Sequence, residues 1–290
     1  MKLNKALNII KLGGRVIDDE NKLNMLLHAI SQQSDPCVIV HGGGDQVTEL
    51  AERLGVESTF INGRRVTDQA SLDLVTMVLA GIINKQIVAK LQAYGVNALG
   101  LSGADANLLL SNKREAQMHD FGFVGDVKAV NRNVLIDLIS NDFLSVIAPI
   151  THDGNGQLLN TNADTVAYEI AKALAHQYQV NLYYCMDLAG VYEDVANPDS
   201  LIETLELNVY QRLKAEDKIQ QGMLVKLENC FDALTSNVYQ VVISNADNIA
   251  HTLQGEKAKV TTIQLEEVKN VSEKCNHFIN TPSVYDCHPS

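Results

Sequence analysis

Positive charge is scarce in this chain. Lys and Arg number 23 against 35 Asp and Glu, a formal net charge of -12 over 290 residues. That balance argues against a nucleic-acid surface, and it obliges any anionic ligand to find a local cationic pocket. No CxxC pair occurs; Cys37, Cys185, Cys230, Cys275 and Cys287 are scattered and odd in number, which suits a reducing cytosol. Neither a signal peptide nor an apolar run near the roughly 18 residues of a membrane span is visible, so a cytoplasmic protein with no membrane partner is expected. The nucleotide signatures GxxxxGKS or GxxxxGKT, and GxGxxG opening a helix, are missing, which excludes a P-loop or a dinucleotide site of that kind. An obvious His or Ser nucleophile arrangement, internal repeats and low-complexity tracts are absent as well.

What is present is a recurring unit of strand, glycine turn and helix. The apolar run Leu7 to Ile10 leads into Lys11-Leu12-Gly13-Gly14, and the pattern Leu23, Leu26, Leu27, Ile30 follows as a helix face. Cys37 to Val40 leads into His41-Gly42-Gly43-Gly44, followed by Val47, Leu50, Ala51 and Leu54, with Gly55 as a stop. Glycines let a backbone approach a ligand closely, and N–H groups at a helix start can hold an anion. Alternating strands and helices predict a largely parallel sheet covered on both faces, with ligands at the carboxyl ends of the strands. At 46% hydrophobic content a packed core is expected.

Further along, Thr67 or Asp68 can cap a long helix carrying Leu72, Val75, Leu79, Ile82, Ile83, Ile87 and Leu91 and closed by Gly95. Its broad apolar face reads as core, with a dimer seam as the second reading. Asp105 to Ser111 and Gly122 to Val130 are expected as a hairpin, and Phe143 to Ile150 as one buried strand. Leu159 to Asp164 leads into a helix with Val166, Ala167, Ile170, Ala171 and Leu174 on its face. Val180 to Met186 starts a second α/β segment ending at Asp187-Leu188-Ala189-Gly190-Val191-Tyr192. Gln221-Gly222-Met223 precedes Lys226 and another helix face, and Tyr239 to Ile243 reads as a strand. A boundary between two lobes is placed near residues 175–180. From about residue 266 the chain reads as a polar tail; its Cys275, His277, Cys287 and His288 are poorly spaced for structural zinc, and no metal ligands are assigned.

Lys11, the glycines of 42–44, Arg65, Asn160, Asp164, Asp187 and Lys226 form a chemically coherent set. Two lysines and several glycine turns can surround a polyphosphate. Arginine binds a carboxylate bidentately, Asn160 can hydrogen-bond a polar ligand, and Asp164 can hold lysine side chains in place. Phosphoryl transfer asks mainly for alignment and positive charge. A carboxylate acceptor is already ionised at neutral pH and needs no general base.

These residues carry a resemblance to a known family. Lys11-Leu12-Gly13-Gly14, His41 to Gly44, Asn62 to Thr67, Leu101 to Asp105, Asn160 to Asp164, Asp187 to Val191 and Gly222 to Lys226 occur in the order and spacing of the amino acid kinase family over about residues 7–265. The chain is similar in particular to members acting on an N-acylated glutamate in arginine biosynthesis. The resemblance implies a three-layer α/β sandwich around a mainly parallel central sheet. Residues 1–177 would bind the acylated amino acid and phosphoryl group and carry a dimer helix, residues 178–265 would bind ATP, and 266–290 would be the tail. It also implies roles. Lys11 and Lys226 would stabilise the transferring phosphoryl group and Asp164 would organise them. Gly43 and Gly44 would present N–H groups to phosphoryl and substrate, and Arg65 and Asn160 would bind the acylated amino acid. Gly13, Gly14, Asp187, Leu188, Ala189, Gly190, Val191, Tyr192, Lys218, Ile219 and Gln220 would serve ATP, whose phosphates would carry magnesium.

Departures from the family pattern include Arg64 where leucine is usual, Asp45 where proline often stands, Ala104 and Ala106, and Val260 before Thr261. Arg64 beside Arg65, with the small Ala104, leaves N-succinylglutamate open as substrate behind N-acetylglutamate, with acylated aminoadipate or aspartate as siblings. A catalytically silent amino-acid-binding relative is the reading from a different class. About six residues precede the first strand, too few for the extra N-terminal helix of arginine-inhibited hexamers in the family, so a homodimer not inhibited by arginine is expected.

Overall fold

The computed structural model describes residues 5–61, 63–116, 118–216, 218–219 and 221–265. Asn62, Gln220 and the expected tail with its Cys and His residues lie outside them. Apolar runs become strands where both of their faces are covered. In β1 (Ala6–Leu12), Leu7 and Ile9 pack into one core and Ile10 and Leu12 into another, all four without exposure. The further strands are β2 (Cys37–His41), β3 (Phe60–Ile61), β4 (Arg64–Arg65), β5 (Ala98–Leu101), β6 (Leu109–Lys113), β7 (Gly125–Val130), β8 (Leu144–Ile147), β9 (Ile150–His152), β10 (Leu158–Asn160), β11 (Gln179–Met186), β12 (Val191–Tyr192), β13 (Leu201–Ile202), β14 (Thr204–Glu206), β15 (Gln240–Asn245) and β16 (Thr261–Gln264).

One eight-stranded sheet runs β14-β16-β15-β11-β1-β2-β8-β5. Its neighbours are parallel except β15 with β16. Helices Ala163–Leu174 and Gln221–Thr235 contribute to the core on the Leu7 and Ile9 side. Glu20–Ser31, Ala246–Leu253 and the long helix Gln69–Ala93 cover the other side. The expected mainly parallel, three-layer architecture is therefore present. The sheet continues through the region where the sequence places a lobe boundary, since β11 sits between β1 and β15.

Several local expectations are corrected. The helix expected after Gly14 is two, Gly14–Asp18 and Glu20–Ser31, because Asp19 leaves helical geometry and its carboxylate accepts the N–H groups of Asn21 and Lys22. Phe143 to Ile150 is not one strand. Pro149, which has no N–H to give a ladder, separates β8 in the large sheet from β9 in a second sheet of order β10-β9-β6-β7. The expected hairpin is there as antiparallel β6 and β7, but Asp105–Asn107 is a single tight turn whose Asp105 carboxylate accepts the N–H and hydroxyl of Ser102. Helices Arg132–Ser140, Leu207–Ala215 and Ala246–Leu253 were not anticipated.

Asp68 caps the helix Gln69–Ala93 by accepting the N–H of Ser71 at 2.8 Å, and Gly95 ends it at φ 78°. Its centre, Thr76–Ile83, winds in the wider π form. By length and composition this helix is apolar enough to cross a membrane, but one side of it is built into the core. Val75, Val78, Leu79, Ile83, Ile87 and Leu91 are buried in the core, while Met77 and Ile82 are exposed.

Candidate active site

Strand alternation aims Lys11 at its partners. It shares the face of Leu7 and Ile9, over which helix Ala163–Leu174 lies. Asn162 caps that helix, accepting the N–H groups of Asp164 and Thr165, and so sets Asp164 in its first turn. Lys11 Nζ lies 2.8 Å from one Asp164 carboxylate oxygen as an ion pair outside hydrogen-bonding geometry. Lys226 Nζ, from helix Gln221–Thr235, donates to the other oxygen at 2.6 Å. The three side chains are only 12%, 19% and 13% exposed in the order Lys11, Asp164, Lys226. Burial pushes the Asp164 carboxyl up, but the two ammoniums outweigh it and hold it well below the usual carboxylate range.

The two glycine turns meet beside this cluster. Gly13 donates its N–H to the Cys185 carbonyl at 2.9 Å, and a Cβ there would sit 2.9 Å from the same oxygen. Gly42 donates to the Leu12 carbonyl at 2.9 Å, tying the second turn to the first. Gly43 adopts φ 130°, where a Cβ would come within 2.2 Å of Ile83 Cδ1. That methyl belongs to the π-wound part of the long helix. Gly14 lies against Gly43. Helix Gly44–Leu54 starts without a side-chain cap, as does Gly14–Asp18, so its first N–H groups remain available to an anion.

His41, just before these glycines, has no exposure. Its Nδ1 is 2.9 Å from the Gly42 carbonyl and its Nε2 is 3.2 Å from the Asn84 amide, which also donates to the Val146 carbonyl. The contacts assign the proton to Nδ1 and leave Nε2 to accept. Burial, opposed by the Gly42 hydrogen bond and helped by the charge of Lys85, lowers the imidazole to about 4. The folded value lies below the unfolded value near 6.5, so the unfolded chain takes up the proton first. The associated stability is present above about pH 6.5 and is lost as pH falls toward 4. Urea unfolding at pH 7 and pH 5 is expected to show a loss of about 2 kcal/mol from this residue, absent in His41→Gln; an equal loss in both proteins would contradict it.

Arg65 and Asn160 belong to one adjoining wall. Arg65 donates to Ser58 Oγ at 2.6 Å, Thr48 Oγ1 at 2.7 Å and the Gly44 carbonyl at 3.2 Å, and its guanidinium lies 4.7 Å from the Phe60 ring centroid. Burial lowers its pKa, partly offset by Asp45. Asn160 donates to Thr67 Oγ1 at 3.0 Å and joins the hairpin through Phe123 and Val124. Arg64 is exposed, on the opposite side of its short strand.

The expected nucleotide stretch is only partly gathered here. Asp187 pairs with Arg15 on helix Gly14–Asp18, which ties the turn after β11 to the first glycine turn. Leu188 lies within that turn. The Ala189 carbonyl accepts from Ser244 Oγ, and Val191 donates to Thr261 Oγ1, both at 2.8 Å. A Cβ on Gly190 would meet that same Thr261 hydroxyl at 2.3 Å. Tyr192 pairs with Leu201 in the short β12–β13 ladder. Lys218 is exposed and pairs with Glu216 at 2.8 Å, while Ile219 packs on the core; Gln220 is outside the described residues. Reading the sequence missed Thr48 and Ser58, which hold Arg65, and Arg15 and Ser244, which tie down the turn after β11, and it gave Thr261 no supporting role. It also missed Tyr184, which looks like ordinary core within its apolar run.

A mainly parallel α/β sheet with two glycine turns at its strand ends, and a carboxylate-bridged lysine pair beside them, defines an α/β protein that gathers positive charge and uncapped backbone N–H groups at one end of its sheet. The model of the amino acid kinase family matches residues 6–245, and the chain belongs to that family. It is 47% identical over 258 residues to an acetylglutamate kinase of Bacteroides fragilis, covering 89% of this chain and 98% of that one. It is 46% identical over 260 residues to an acetylglutamate kinase of Cytophaga hutchinsonii, with the same shares of the two chains. Among solved structures it is similar to smu.665 from Streptococcus mutans UA159, with TM-score 0.72 and 26% identity over 89% of this chain and 98% of the other.

Proposed function

We propose that this chain is an ATP-dependent kinase that phosphorylates the side-chain carboxylate of N-acetylglutamate to an acyl phosphate, in arginine biosynthesis. Membership of the kinase family and the identity to acetylglutamate kinases support the reading. The observation that carries it is the Lys11–Asp164–Lys226 cluster beside the glycine turns. Lys11 and Lys226 would neutralise charge on the transferring phosphoryl group, and Asp164 would keep them spaced and charged. The first N–H groups at Gly43 and Gly44 would meet the phosphoryl group and the acceptor. Gly13, Gly14 and residues 187–192 would face ATP, with Lys218 and Ile219 nearby. Both Asp164 oxygens are occupied by ammoniums, so magnesium would be carried on the ATP phosphates. On this reading residues 1–177 form the acceptor lobe and 178–265 the ATP lobe of a cytoplasmic enzyme. An ADP-release assay over a panel of acylated and free amino acids tests it; no ADP release with any acylated glutamate would overturn it.

Arg65 and Asn160 would hold the acceptor's other polar groups. Arg65→Ala is expected to raise the KM for N-acetylglutamate by about ten- to a hundredfold, the worth of roughly 1.5–3 kcal/mol for a hydrogen bond to a charged group, with a smaller change in kcat. The exposure of Arg64 favours the acetyl over the succinyl substrate. Arg64→Leu should leave the kcat/KM ratio of the two compounds unchanged, and a tenfold shift would reopen the succinyl reading.

A homodimer seamed partly by the helix Gln69–Ala93 belongs to the same proposal. Its support is the exposure of two large apolar side chains, Met77 and Ile82, at 53% and 47%, on a helix whose opposite side is buried in the core. Light scattering is expected to give twice the chain mass, and a monomer after Met77→Lys with Ile82→Lys; a wild-type monomer would refute it.

A further inference from the structure

We propose that Tyr184 is a positioning residue that sets the Lys226 ammonium and the first turn of helix Ala163–Leu174 for phosphoryl transfer, an inference that rests on the kinase reading above. Tyr184 stands on β11 as the direct parallel partner of Lys11 on β1. Parallel partners in neighbouring strands present their side chains to the same face, and here that face is the one holding Asp164. The side chain has no exposure and no bond to bulk water. Its hydroxyl donates to the backbone carbonyl of Asp164 at 3.2 Å. Its ring lies 5.1 Å from Lys226 Nζ, measured to the centroid. One fully buried residue therefore touches the peptide carrying the carboxylate and the cation bound to that carboxylate, and neighbours the second cation along the sheet.

The chemistry of the contact explains why an aromatic ring stands there. The Lys226 ammonium has three donors. One is directed at Asp164, and a ring face attracts the cation from another side without accepting a proton or competing for its charge. The ammonium is thus confined while it remains available to an incoming phosphate oxygen. An aliphatic side chain of similar bulk would fill the space but would leave Lys226 held by Asp164 alone. The hydroxyl adds a tether between the sheet and the helix start, so that Asp164 and Lys11 keep their spacing when substrate charge enters.

The test is a double-mutant cycle read by steady-state kinetics and by hydroxylamine trapping of the acyl phosphate. Tyr184→Leu is expected to lower kcat by about tenfold, with the KM values for ATP and N-acetylglutamate within about twofold of wild type. Tyr184→Phe keeps the ring and is expected to retain kcat within about threefold. In a Lys226→Ala background, Tyr184→Leu should cost no more than about the threefold allowed for Tyr184→Phe, because the ring then has no cation to hold and only the hydroxyl tether is lost. Thermal unfolding of each variant gives the folded fraction used to normalise kcat, and Tyr184→Met replaces Tyr184→Leu if the latter does not fold. Unchanged kcat in both Leu and Met variants would overturn the proposal, as would a tenfold loss that persists in full without Lys226. Those outcomes leave wild-type turnover intact and the kinase reading standing. A wild-type chain that makes no acyl phosphate would remove the kinase reading, and this inference with it.

Discussion

Lys226→Ala is expected to lower kcat by about two to three orders of magnitude while the KM for N-acetylglutamate moves little. The size follows from removing one preorganised cation aimed at charge that grows in the transition state, an effect worth roughly 3–4 kcal/mol in a water-poor site. The direction follows from differential binding. In the ground state Lys226 is already engaged by Asp164 at 2.6 Å, so its added value appears as the phosphoryl group moves, and kcat carries the loss. Lys11→Ala should behave alike, since it occupies the other oxygen of the same carboxylate at 2.8 Å. Steady-state rates with ATP and N-acetylglutamate measure both. Near-normal turnover in the two variants would sink the assignment of these lysines.

Asp164→Ala should damage the fold and the reaction together. Lys11 and Lys226 side chains are 12% and 13% exposed, and without the carboxylate two ammoniums would face each other with little solvent. Removing one partner of a buried ion pair costs about 3–5 kcal/mol, reduced here because all three groups keep some access to water, so a loss of about 2–4 kcal/mol in urea unfolding at pH 7 is expected. The sign with pH is determined by the lowered carboxyl. Its folded pKa lies below its unfolded value of 3.8, so the stabilisation is fully present above about pH 4. It is lost as pH falls from there through the folded value. The wild type and Asp164→Ala should therefore differ fully at pH 7 and converge in acid. Equal stability at pH 7, or wild-type kcat in the variant, would contradict the cluster.

Much of the site was legible because its signals are local. Gly13, Gly43 and Gly44 stand at strand-to-helix turns, and the apolar runs before them are short and bounded by glycines, which favours strands buried on both faces. Asp68 punctuates its helix by its own carboxylate, and Gly55 and Gly95 end theirs by left-handed backbone. Where the reading failed, the deciding contact was either too short or too distant to leave a pattern. Asp19 divides one helical pattern into two through two hydrogen bonds of its own side chain. Pro149 splits an apolar run between two sheets.

By itself the sequence determined the strand, glycine turn and helix units, the acidic background against which a few cations stand out, and the residue types that phosphoryl transfer requires. Those follow from backbone freedom at glycine, from the two-residue period of strands and from side-chain charge, none of which needs a distant partner. The tertiary structure alone decided that Lys11 and Lys226 meet on the two oxygens of Asp164, the latter pair 62 residues apart in the chain. It also decided that Ile83 fills the space a Cβ on Gly43 would need, and that Tyr184 lies level with Lys11. Strand order and register bring these groups together, and they are decided by how the two faces of one sheet bury their helices, a property of the whole packed chain.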